Sequence, residues 1–206
     1  AVDSEDAKFG SRYLNSDHLG QPLLAFANVR RELLRLADIT CQVYEQCMNA
    51  FKRPDPDLIA TMEANQDLAT AIDKDIRIYV THITQDQITG DQAQQSLSLI
   101  DISASFRDIC DMVVQNLLEY SEKKIRTGVK FSEEGWSELN SYHKQVLELL
   151  RMCVSVLTTN QEDYAHKLLH KAEHLRLSEI TLRQNHLERL KSGIWVMIFC
   201  LNFRSL

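Results

Sequence analysis

Two carboxylates one helical turn apart, Asp108 and Asp111, are the residues best placed for chemistry in this chain. They lie within residues 94–126, where apolar side chains recur at helical spacing. Leu97, Ile100, Ala104, Gln115 and Leu118 fall on one face of that helix, and Ile102, Phe106, Ile109, Val113 and Leu117 on the opposite one. Apolar residues on both sides predict a helix packed from both sides. Asp108 and Asp111 belong to the first face, with Arg107 at its edge. An unpaired buried carboxylate is costly, so the two are expected to be ion-paired, hydrated or metal-bound. Two readings follow. Oxygen ligands at this spacing suit a divalent metal or iron; an internal ion pair with Arg107 or Arg30 satisfies the same charges without one.

The remaining polar patterns carry less. His166, His170 and His174 stand at four-residue steps and could chelate zinc or nickel from one helix face. That face is opposite Leu168, Ala172 and Leu175, so it is expected to be solvated. His143 and His186 lie on apolar stripes and are expected to be hydrogen-bonded core residues. There is no Gly-rich phosphate loop, no H-E-x-x-H and no Glu-x-x-His pair of the di-iron type. The chain is therefore expected to be non-enzymatic, with no catalytic or cofactor-binding residue assigned.

Composition narrows the elements that must position these residues. In 206 residues, 44% hydrophobic, only three Pro and six Gly interrupt the apolar periodicity, which predicts an all-α chain with a sizeable core. A net charge of −6 without a long Lys/Arg cluster argues against nucleic acid as a partner. Cys41, Cys47, Cys110, Cys153 and Cys200 form no C-x-x-C pair and read as reduced core thiols of a cytoplasmic protein. The apolar run Ile194 to Leu201 is shorter than the roughly 20 residues a spanning helix needs. Residue 1 is Ala rather than Met, as in a processed or excised piece of a longer protein, including a membrane protein.

Taken in order, residues 1–20 read as a polar lead or linker. A first helix follows from Pro22, with Leu23, Phe26, Leu33, Ala37, Cys41, Tyr44, Met48 and Phe51 on one stripe interrupted by Arg30. Pro54-Asp55-Pro56-Asp57 ends it and starts a second, Asp55 as cap and Pro56 at the first helical position. The second helix buries Leu58, Met62, Ala69, Ile72, Ile76, Tyr79 and Ile83, and exposes Glu63, Asp67 and Lys74. Asp91 with Gln94 resembles a capping box for the third, which ends near Gly128. Ser132 caps the fourth, with Phe131 stapled onto Trp136, and Asn160 caps the fifth. Phe51 to Asp57 and Leu157 to Asp163 superpose without gaps. The plan is thus a duplication: residues 21–128 as a first three-helix repeat, 129–193 as helices four and five of a second, and 194–206 as a divergent apolar tail.

Several stretches resemble a known family. Arg12-Tyr13-Leu14, the block Ala27 to Leu36 with Arg30-Arg31-Glu32-Leu33-Leu34-Arg35, Phe131-Ser132-Glu133-Glu134-Gly135-Trp136 and His186-Leu187-Glu188-Arg189-Leu190 resemble the cytosolic PhoU-like domain of bacterial sodium/phosphate cotransporters. The resemblance spans roughly Arg12 to Gly193. It implies tandem three-helix bundles, a regulatory role in phosphate homeostasis, a location at the inner face of the cell membrane, and a membrane phosphate transporter portion as partner in cis or in trans. It also implies a Glu/Asp-x-x-x-Asp metal motif on the third helix of each repeat. Here Asp111 holds the second position and Arg107 the first, with Asp108 as the substitute ligand. The second repeat's motif falls beyond Gly193, where the family character stops. That leaves a divergent or frame-shifted end whose apolar run closes the second bundle or drives a homodimer.

Overall fold

The computed structural model describes residues 10–53, 55–83, 89–127, 132–159 and 162–191. The all-α expectation holds. Among these residues the long elements are α1 (Pro22–Lys52), α2 (Pro56–Ile83), α3 (Gly90–Thr127), α4 (Glu133–Thr159) and α5 (Glu162–Lys191), preceded by a short 3-10 turn, Ser16–His18. The chain forms two compact units. One comprises Ala1–Val43 with Pro56–Val114, the other Tyr44–Asp55 with Gln115–Leu206, so α1 and α3 each contribute to both.

Helix starts follow local chemistry. Pro56 opens α2, where its missing N–H costs nothing. Ser132 accepts the Gly135 N–H at 3.0 Å and starts α4 as expected. The box that starts α3 lies two residues earlier than Asp91 and Gln94: the Thr89 N–H donates to Gln92 Oε1 at 2.9 Å, and the Gln92 N–H to Thr89 Oγ1 at 3.3 Å. Thr89 can cap because it stands just outside the helix, whereas Asp91 is already in its first turn. Pro54, Gly128, Phe131, Asn160, Cys200 and the tail after Gly193 lie outside the described residues.

In the first unit, α1, α2 and α3 surround a core of Phe26, Val29, Leu33, Leu36, Met62, Ile72, Ile76, Phe106 and Cys110, all buried. The Thr40 hydroxyl donates to the Phe106 carbonyl at 3.1 Å and ties α1 to α3. Two expectations change here. Leu23 stands outside the α1 stripe, which begins at Ala25 and Phe26. The α3 helix is packed over one broad arc rather than from two opposed sides: Leu99, Phe106, Ile109, Cys110, Val113 and Val114 are buried, while Leu97 is 58% exposed. Leu97 shares its face with Asp101, Asp108 and Gln115, all exposed. With that company the face gains more from solvent than from burial.

In the second unit, the end of α1 packs on α4, and α4 on α5. The Tyr44 ring stacks on His143 with centroids 4.6 Å apart, and Phe51 lies against Trp136 at 6.2 Å. Glu138 on α4 pairs with Arg189 on α5, and Glu148 with Lys171, so the two helices run antiparallel.

Candidate functional site

The fold places Asp108 and Asp111 differently from each other and from the expectation of an inward-facing pair. Asp108 is 61% exposed through its side chain and pairs with the neighbouring Arg107. Asp111 is half-buried, and its Oδ1 accepts the Gln66 Nε2–H at 3.0 Å. Arg30 is exposed. Among the described residues no three His, Cys, Asp or Glu side chains gather as a metal cage. Two carboxylates three residues apart, one facing solvent beside a guanidinium, supply too few converging oxygens for a hard cation. The donor set does not fit a resident metal.

The carboxylates that are truly inside are two others. Glu32 is fully buried. Its Oε2 accepts the backbone N–H groups of Arg12 and Tyr13, each at 2.8 Å, and its Oε1 accepts Arg35 Nη1 at 2.6 Å. Arg35 Nη1 also reaches the Gly10 carbonyl at 2.9 Å. A buried charge met by one guanidinium and two amides is compensated, and charge-assisted hydrogen bonds are the strong class. The consequence is topological. Residues 10–15 are held down as a strap across α1 and α2, with the Ser11 N–H on Asp75 Oδ2 at 3.0 Å and the Tyr79 hydroxyl on the Asn15 carbonyl at 2.6 Å. This part of the polar lead is integral to the first unit.

Asp73 on α2 is the second buried acid, 3% exposed. Ser103 Oγ on α3 donates to its Oδ1 at 2.7 Å, Arg77 Nη2 donates to its Oδ2 at 2.6 Å, and Arg107 Nε stands 3.6 Å from the same oxygen. With Gln66 and Asp111 one turn and more away, these groups form a polar seam along the antiparallel α2–α3 pair. Both acids stand where the apolar spacing places the core. Glu32 lies between Val29 and Leu36, and Asp73 between Ala69 and Ile76. That position was the available signal, and it marks them more sharply than proximity marks Asp108 and Asp111.

In burial, though not in a hydrogen bond shown for each, the histidines divide as their spacing implies. His166, His170 and His174 are exposed on α5. His143 is buried, and its Nε2–H donates to the Tyr44 carbonyl at 2.7 Å. Burial lowers its pKa below the ordinary 6.5, and burial does the same to His186. Cys47 and Cys110 are pushed up to about 12 by burial, so neither is a nucleophilic thiolate near neutral pH.

Over 188 residues, 90% of this chain, it is 24% identical to proteins of Salmonella typhimurium, Escherichia coli K12 and Shigella flexneri, each named "Putative inorganic phosphate export protein YjbB". The chain spans about a third of the length of these relatives, 34% in each case. No family model matches the chain, and no solved structure matches it. None of the described helices is long and apolar enough to cross a membrane. What the arrangement does chemically is fix helices: each buried carboxylate is committed to donors from at least two separate segments.

Proposed function

We propose that this chain is a non-enzymatic, PhoU-like regulatory module of sodium-dependent phosphate transport, acting in phosphate homeostasis at the cytoplasmic face of the cell membrane. The similarity to relatives named for inorganic phosphate export, running over nearly the whole of this chain, is the observation that carries the reading. Those relatives are about three times as long, so the transporting portion is sought in the remaining two thirds or in a separate partner chain.

Regulation then works by contact. A module shifts a transporter between states only if it touches those states unequally. The buried Glu32 and Asp73 networks support this role because they cross-link the helices of the first unit, and a cross-linked surface discriminates between two partner shapes better than a soft one.

The test is phosphate flux in cells that carry the complete gene. Deleting the segment equivalent to residues 22–191 is expected to leave flux measurable but to remove its response to intracellular phosphate. Flux with an unchanged rate and an unchanged response would remove the regulatory reading.

A further inference from the structure

We propose that the outer face of the first three turns of α1 is a docking surface for an anionic lipid bilayer. Leu23 is 85% exposed, the highest value among the large hydrophobic residues described, and Leu24 beside it is 45% exposed. At helical spacing Leu23, Ala27, Arg30, Arg31 and Leu34 share one side of α1, and all but Leu34 are exposed. The opposite side, with Phe26, Val29 and Leu33, is locked in the core. This outer face is therefore presented ready-formed, and its exposure is not a consequence of fraying.

Charge selects the occupant. Arg30 and Arg31 follow the leucines by two turns, and the guanidinium of Arg31 is held over the Tyr13 ring at 4.2 Å. The face carries no acid before Asp38, in a chain whose net charge is −6. A basic patch against that background favours an anionic surface, and leucines next to arginines match a headgroup boundary: the leucines enter the acyl region while the arginines reach lipid phosphates. A second copy fits less well. Two leucines fall far below the roughly 800 Å² per partner of a stable interface, and a self-facing patch brings like charges together. The exposed stripe of α5, with Leu169, Leu177, Ile180 and Leu187, lacks this selectivity. Glu173, Arg176, Arg183 and Glu188 intersperse both signs there.

This inference draws on the proposed function only for the presence of a membrane near the protein, and its test involves no transport. The purified 206-residue chain is mixed with vesicles of phosphatidylglycerol and phosphatidylcholine, or of phosphatidylcholine alone, and bound protein is measured by flotation at low and high salt. Binding is expected on the anionic vesicles only, and salt is expected to weaken it. R30Q/R31Q is expected to lower partitioning about thirtyfold and L23S/L24S about tenfold or more. L177S/L187S is expected to leave it unchanged, and circular dichroism to show each variant folded. Equal binding to neutral vesicles, no binding to either, or loss of binding in L177S/L187S alone would overturn the proposal. So would a dimer in sedimentation that L23S/L24S dissolves. Vesicle binding that fails while the phosphate response persists sinks this inference and spares the regulatory role; the reverse pattern does the opposite.

Discussion

The two compact units reach order by different means. In the first, Val29, Leu36, Ala37, Ala69, Ile72 and Ile76 have no exposed surface, and two buried acids are each met by donors from separate segments. In the second, α4 buries Gly135, His143, Val146, Leu147 and Leu150 over 27 residues, and His186 is the one buried side chain described on α5. Its cross-helix charges, Glu138–Arg189 and Glu148–Lys171, lie toward the surface. A buried network ties its helices together cooperatively, whereas surface pairs contribute one at a time. The first unit should therefore open last in hydrogen exchange, and the second should carry the low-energy openings.

The largest break in that contrast is Glu32→Ala. It leaves the Arg12 and Tyr13 amides and the Arg35 guanidinium turned into an apolar surround, at a cost of about 3–5 kcal/mol. Urea unfolding is expected to show a sharply lower midpoint, with exchange accelerated in α1 and α2. A change under about 1 kcal/mol would mean that the strap is not anchored there. Asp73→Asn keeps an acceptor for Ser103 but removes the charge facing Arg77 and Arg107. It is expected to cost about 1–3 kcal/mol, again concentrated in the first unit.

Acid is expected to sharpen the contrast from the other side. Burial holds the pKa of His143 below 6.5 in the folded second unit, so as pH falls below 6.5 the unfolded chain takes up a proton first and the unit loses stability. Glu138 extends the effect. Arg189 holds its carboxyl below the ordinary 4.5, so its contribution is full above that value and is lost as pH drops further. Exchange at pH near 5.5 against pH 7 should therefore accelerate α4 and α5 more than α1 and α2. His143→Ala, losing the bond to the Tyr44 carbonyl and the stacked ring, is expected to cost about 1–2 kcal/mol and to flatten this pH response. An undiminished response in that variant would assign the titration elsewhere.

How much of this was legible in the sequence depends on how far away each residue's partners lie. The helices were readable because Phe26, Leu33, Ala37 and Tyr44, or Ile72, Ile76 and Ile83, set their own spacing, and because Pro56 and Ser132 act within one turn. Glu32 was not. Its donors are backbone amides 19 and 20 residues upstream, in a stretch without helical pattern, so the apolar stripe places Glu32 inside without showing what satisfies it there. Asp73 is satisfied by Ser103, 30 residues away on another helix. Asp108 and Asp111 stand out for the opposite reason: they are close in sequence, which says nothing about which way a helix turns its margin. The exposure of Leu23 was also hidden, since its spacing from Phe26 fits a stripe whose true start, Ala25, is a weaker apolar signal.

A smaller effect is expected from Glu138→Gln. The Arg189 fork, at 2.6 and 3.1 Å, and the Asn185 amide at 3.2 Å lie at a partly solvated α4–α5 boundary, so about 0.5–1 kcal/mol is expected. High salt should shrink the difference between variant and parent.

The smallest effect separates the two faces of α5. Leu175 and Leu182 are half-buried, whereas Leu177 is exposed. A serine at position 177 removes little apolar area from any core, so unfolding should shift by less than about 0.5 kcal/mol. Leu182→Ser removes a half-buried apolar side chain and should cost clearly more. If Leu177→Ser proves the more damaging of the two, the outer stripe of α5 is covered in solution. The second unit would then owe its order to a contact outside α4 and α5, and its contrast with the first would be one of missing neighbours rather than of packing style.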